Sequence, residues 1–104
     1  MSKKSRTKGH GFERKTANTL KDIWPTAERG LQYRDGINCA DVEGTPFYVE
    51  CKRYASALPH SVDNLIDEAV NKQDRPVILI HKLDRRPAVV SMRLDDFIKH
   101  NGGK

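Results

Sequence analysis

The chain has 104 residues, of which 37% are hydrophobic and 32% charged, and its formal net charge is +5. That length holds one core and not two, and no apolar run approaches the ~18–20 residues of a membrane-spanning helix. Two cysteines without CxxC spacing and four scattered histidines argue against a structural zinc site.

Residues 1–8 carry Lys3, Lys4, Arg6 and Lys8 and no acidic residue, whereas the 15 basic residues that follow nearly balance 14 acidic ones. Residues 1–8 therefore read as a flexible basic arm ahead of a single domain over 9–104. Such an arm either tracks phosphates or is simply a solvated terminus. No secretory apolar stretch follows it, because GHGFERK interrupts at once. The expectation is a soluble intracellular protein with reduced thiols.

Residues 9–24 are predicted as a helix ended by Trp24-Pro25, and 28–33 as a weak strand. Residues 37–43 and 46–53 read as two strands around Gly44-Thr45, a hairpin signal. Residues 61–74 form an amphipathic helix pattern with Ser61 as N-cap. PVILIHK (76–82) and PAVVSM (87–92) read as strands, and LDDFIKH (94–100) as a short helix. The order α-β-β-β-α-β-β-α describes an α/β domain, a mixed central sheet flanked by helices.

Several charges fall where the pattern calls for core. On a helical wheel Phe12, Thr16, Ala17, Leu20, Ile23 and Trp24 share one arc, and Glu13 lies inside it while Arg14 lies outside. A carboxylate on that arc either snorkels to water, meets an arginine or binds a cation. Gln73 lies on the apolar arc of Val62, Leu65, Ile66, Ala69 and Val70, where it caps local backbone or serves a site. In YVECKRY, Glu50 and Lys52 point to one side of a strand that otherwise reads as buried. With Gly44-Thr45 as an even-length turn, Asp41 would oppose Tyr48 and Cys39 would oppose Glu50. Asp41, Glu50 and Lys52 would then share one face, with Asp41 diagonal to Glu50, and Cys51 would face away from Cys39, against a disulfide.

Two carboxylates held diagonally on a sheet make an oxygen-rich site that suits Mg²⁺. A bound Mg²⁺ polarises a phosphoryl oxygen and acidifies a water. A neighbouring lysine orients that water or stabilises charge on the phosphate. This equipment suits phosphodiester hydrolysis better than an ion pair holding a strand together.

Asp41 followed by Glu50-Cys51-Lys52 resembles the D-(x)n-E-x-K motif of the PD-(D/E)xK nuclease superfamily, with Ala40 where the family has a proline. GHGFERK resembles the opening helix of archaeal-type Holliday junction resolvases, which places Glu13 as the helix-borne acid. LQYRDG, with Arg34, Gln73 and RPVILIHK match the further elements of that family, so the resemblance covers about residues 9–98. It implies a restriction-endonuclease-like fold and a metal-dependent endonuclease that resolves four-way DNA junctions by paired nicks, in a bacterial, archaeal or phage-infected cytoplasm. It implies Mg²⁺, with Mn²⁺ as substitute, held by Asp41, Glu50 and the Cys51 backbone carbonyl, with Glu13 reaching it through water. Lys52 would position water or stabilise the transition state, and Gln73 would orient Lys52 or water. Lys3, Lys4, Arg6, Lys8, Arg14, Arg34 and Arg53 would contact DNA phosphates. It also implies a homodimer, for which strand 87–92 with Phe97 and Ile98 is the candidate interface unless these residues close the core. Another DNA endonuclease of the superfamily, of nicking, branched-DNA or restriction type, and a non-catalytic DNA-binding module are the rival readings.

Overall fold

A computed structural model describes the backbone of residues 3–30, 40–70 and 75–101 and the side chains of 11–30, 40–70 and 75–100. Its elements are α1 (Lys3–Leu20), β1 (Glu28–Arg29), β2 (Val42–Glu43), β3 (Tyr48–Tyr54), α2 (Val62–Val70), β4 (Val77–Leu83), β5 (Val89–Ser91) and α3 (Leu94–Asn101). The expected element order holds, in an α/β fold with a five-stranded mixed sheet.

The strands lie in chain order across the sheet. β3 and β4 are parallel and joined through α2, while the other neighbours are antiparallel. A parallel pair needs a crossover connection, and α2 supplies it. Its first turn is capped as expected: the Ser61 hydroxyl accepts from the Asn64 amide at 3.1 Å.

Strand alternation divides the core in two. Val49 of β3 packs with Ile78, Ile80, Val42 and Phe47 against Phe12 and Ala17 of α1. Tyr48 packs with Val77, Leu79 and Ala40 against Leu65, Ile66 and Ala69 of α2. Central β4 is buried on both faces from Val77 to Ile80, which explains its unbroken apolar run.

Three expectations change. α1 starts at Lys3, six residues before the predicted start at residue 9. It stops at Leu20, where the Ile23 and Trp24 amides donate back to the Leu20 carbonyl and a turn replaces the predicted last helical residues. Off the helix, Ile23 is 66% exposed, not core, and Val70 at the end of α2 is exposed as well. The hairpin is the third change. Residues 44–47 form its loop, Gly44 has a φ of 88°, and Val42 opposes Val49. This register is shifted by two residues from the expected one. An even shift keeps every side chain on its face, but it moves Asp41, the residue before β2, level with Glu50 instead of Tyr48.

Candidate active site

The site forms where β2 ends and β3 continues. Beyond Val42 the chain leaves the ladder, and the Asp41 side chain takes the place of a backbone partner: the Cys51 amide donates to Asp41 Oδ2 at 2.8 Å. Ladder hydrogen bonds lie in the plane of the sheet. The Asp41 carboxylate is thus anchored at the flank of β3 by a bond that lies in that plane. From there it meets charges from both faces.

Its pKa is pushed up to about 7, first by burial and then by the Glu50 carboxylate, with a smaller push from Glu13. The Cys51 amide and Lys52 pull the other way. Asp41 therefore lies within electrostatic reach of Glu50, Glu13 and Lys52. Glu50 and Lys52 project from the Tyr48 side of β3, because Val49 and Cys51 pack on the α1 side. Glu13 approaches from α1 on the opposite face.

Three of these charges are also paired. Lys52 Nζ lies 3.4 Å from Glu50 Oε2, so the two residues do form an ion pair, contrary to the reading of them as a purely catalytic couple. Burial alone would lower the Lys52 pKa, but Glu50, Tyr54 and Asp41 together raise it. Lys52 is a cation at neutral pH and not a base. Glu13 Oε1 accepts from Arg29 Nε at 3.2 Å, the arginine partner that the helical wheel left open.

Cys51 faces the α1 core as a free thiol, as alternation predicted. Burial, followed by the Asp41 charge, pushes its pKa well up, which leaves it unreactive. Because the N–H and C=O of one strand residue project toward the same neighbour, its carbonyl lies on the Asp41 side of β3.

Arg53 falls on the α1 face, away from Lys52, and is tied to Asp84 at 3.2 Å. Arg14 is exposed on α1. Arg34 and Gln73 lie outside the described residues, as do Cys39 and the side chains of Lys3, Lys4, Arg6 and Lys8.

Residues the sequence did not single out support the site. Arg75 Nη1 donates to Glu43 Oε1 at 2.9 Å, and Glu43 Oε2 accepts from the Ala40 amide at 2.8 Å. This chain of bonds fixes the residue before Asp41. The Arg75 guanidinium also lies over the Tyr48 ring, 5.6 Å from its centroid. Tyr48 is buried beside Glu50 and Asp41, and its pKa rises to about 12 through burial and then those two charges. Alternation alone could have placed Tyr48 beside Glu50; nothing local marks Arg75 or Glu43, which meet from 32 residues apart.

The donor set can be weighed against a metal. Among the described residues no group of three or more His, Cys, Asp or Glu side chains is arranged to hold one. What is present is a pair of mutually repelling carboxylates, Asp41 and Glu50, with a backbone carbonyl on the same side. That set fits Mg²⁺, which keeps several waters beside one or two carboxylates, and does not fit zinc, which takes nitrogen and sulfur ligands. No family model, curated protein or solved structure matches this chain, so its site is read from its own residues.

Proposed function

We propose that the chain is a Mg²⁺-dependent, structure-selective DNA endonuclease of the PD-(D/E)xK type that acts on four-way junctions by paired nicks. The observation that carries this reading is the Asp41 carboxylate, buried and crowded by Glu50 and Glu13, with Lys52 alongside. Burying like charges together is costly unless a cation compensates them.

Asp41 and Glu50 would hold Mg²⁺, or Mn²⁺ in its place, with the Cys51 carbonyl as a third oxygen and Glu13 at the rim through water. When bound, the ion supplies Lewis-acid polarisation of a phosphoryl oxygen and a more acidic water. The protein's own part is positional. The Cys51 amide fixes the Asp41 carboxylate through Oδ2. The Arg75–Glu43–Ala40 bonds hold the Asp41 backbone. Lys52, a persistent cation, donates to the attacking water or to the phosphate as its charge builds. Its bond to Glu50 keeps the ammonium aimed at the site until substrate competes for it. Arg34, Gln73 and the basic residues of 3–8 are proposed to add phosphate contacts and orientation, as the family resemblance implies.

A second reading is supported by the pairing of Lys52 with Glu50 and of Glu13 with Arg29. A non-catalytic DNA-binding module could keep its acidic cluster neutralised in this way. One experiment separates the readings. A synthetic four-way junction, a matched duplex and a single strand are incubated with the protein in Mg²⁺ or Ca²⁺. Selective junction cleavage in Mg²⁺ is expected, with binding but no cleavage in Ca²⁺, whose coordination is larger and looser. Asp41→Asn and Lys52→Ala should each lower the rate at least ~10²–10³-fold, the scale of losing one preorganised electrostatic contact. Equal cleavage of all three substrates would point to another nuclease of the superfamily. Binding without cleavage by the parent in any metal would leave the binding module.

A further inference from the structure

β4 is apolar and buried from Val77 to Ile80 and turns polar at His81, which is partly exposed. The parallel register sets His81 directly beside Lys52. Partners in a ladder share a face, and neighbouring strands lie about 4.8 Å apart. His81 therefore extends the row that contains Lys52, on the side of the sheet carrying Glu50. Its Nε2 lies 3.0 Å from the Ser91 hydroxyl. His81 opposes Val89, so Ser91 is its diagonal neighbour on that same face.

A hydrogen bond that only held β4 to β5 would be redundant, since the backbone ladder already joins them. What the Ser91 contact adds is orientation. Of the two neutral tautomers this contact allows, the one in which the hydroxyl donates to Nε2 puts the proton on Nδ1 and makes it the ring's remaining donor. Among the described residues Ser91 is the hydrogen-bond partner of this ring. We propose that His81, oriented by Ser91, is a DNA-backbone contact whose imidazole N–H donates to a phosphate oxygen of the strand lying over Glu50 and Lys52. This rests on the nuclease reading for its substrate. Burial lowers the pKa of His81, so near neutral pH the ring is a neutral donor and adds no second cation beside Lys52. A neutral donor suits this place, where Lys52 is already engaged by Glu50 and a second fixed cation would repel it.

The test uses the full chain, a four-way junction and a short duplex, with binding read by fluorescence anisotropy in Ca²⁺ and cleavage read in Mg²⁺. His81→Ala should weaken junction binding about tenfold, the worth of one hydrogen bond to a charged acceptor. His81→Asn, which keeps an N–H donor, should recover part of the loss, and Ser91→Ala should fall between. The His81 ring resonances of the parent should move on addition of the duplex, a readout that needs no variant to fold. If the parent binds and cleaves while the variants bind as tightly and the ring resonances stay still, the His81 contact is overturned and the nuclease reading stands. If the parent binds but never cleaves and His81→Ala weakens binding, the contact stands and the nuclease reading falls. If the parent binds no DNA, both fall.

Discussion

Asp41 couples the chemistry of the site to the stability of the fold. Its folded-state pKa of about 7 lies above the ordinary 3.8. Between those values the metal-free folded protein keeps a proton that the unfolded chain releases. This contribution to stability is complete below about pH 4 and is lost as pH rises through about 7. Asp41→Asn keeps an oxygen for the Cys51 amide and removes the buried charge. In chelator at pH 8 the variant should unfold later than the parent, on the order of a few kcal/mol, because each pH unit of displaced pKa corresponds to about 1.4 kcal/mol. Denaturant titrations at pH 5 and pH 8 would show the gap opening with pH. Added Mg²⁺ should close it by stabilising the parent and leaving the variant unchanged. A variant that is less stable at pH 8, or a gap independent of pH, would mean that Asp41 is held by something other than this balance. At this scale the sequence was legible where alternation decides: Glu50 and Lys52 on one side, Cys51 toward the core. The Lys52–Glu50 and Glu13–Arg29 pairs were not legible, because each depends on rotamers and packing, and the second joins residues 16 apart.

At the level of elements, the hairpin decides where Asp41 sits. The expected two-residue turn is replaced by residues 44–47, held by contacts that only the folded chain provides. The Thr26 hydroxyl donates to the Gly44 carbonyl at 2.7 Å, and the Thr45 hydroxyl accepts from the Phe47 amide at 3.1 Å. The composition of Gly44-Thr45 signals a turn but not its length, so the register moved by two while the faces survived. α1 was misjudged at both ends for a related reason. Gly9 and Gly11 weaken a helix locally, yet α1 runs through them, and the Trp24-Pro25 boundary marks where a helix cannot continue, not where it stops. β1 reaches the site through a close approach. The Gly30 amide donates to the Asp41 carbonyl at 2.8 Å, and a Cβ built on Gly30 would lie 2.0 Å from the Ala40 carbonyl oxygen. Gly30→Ala must push β1 away from residues 40–41. It should cost about 1–3 kcal/mol of stability, the range for forced overpacking, and should lower junction cleavage more than junction binding. Urea unfolding beside single-turnover rates would check both; a variant as stable and as active as the parent would remove β1 from the support of Asp41.

For the molecule as a whole, the order of elements and the layering were readable from hydrophobic periodicity. The role of the last third of the chain was not. Val89, Val90, Leu94, Phe97 and Ile98 are each 47–69% exposed, so they do not close the core. Periodicity identifies an apolar stripe without saying what covers it. Their joint exposure supports the proposal that a second copy of the chain covers β5 and α3, as a junction with two-fold symmetry would suit. Sedimentation should show a dimer at micromolar concentration, and Val90→Glu with Phe97→Glu should give a folded monomer that nicks one strand without the paired second cut. A parent that sediments as a monomer throughout would remove the dimer from the proposal. β5 also ends the sheet with two exposed valines. If the partner chain shields that edge, heat resistance becomes a property of the solution and not of the single chain. Each tenfold dilution would then remove about 1.4 kcal/mol per dimer, and the melting temperature would fall along a dilution series even though no contact within the monomer had changed.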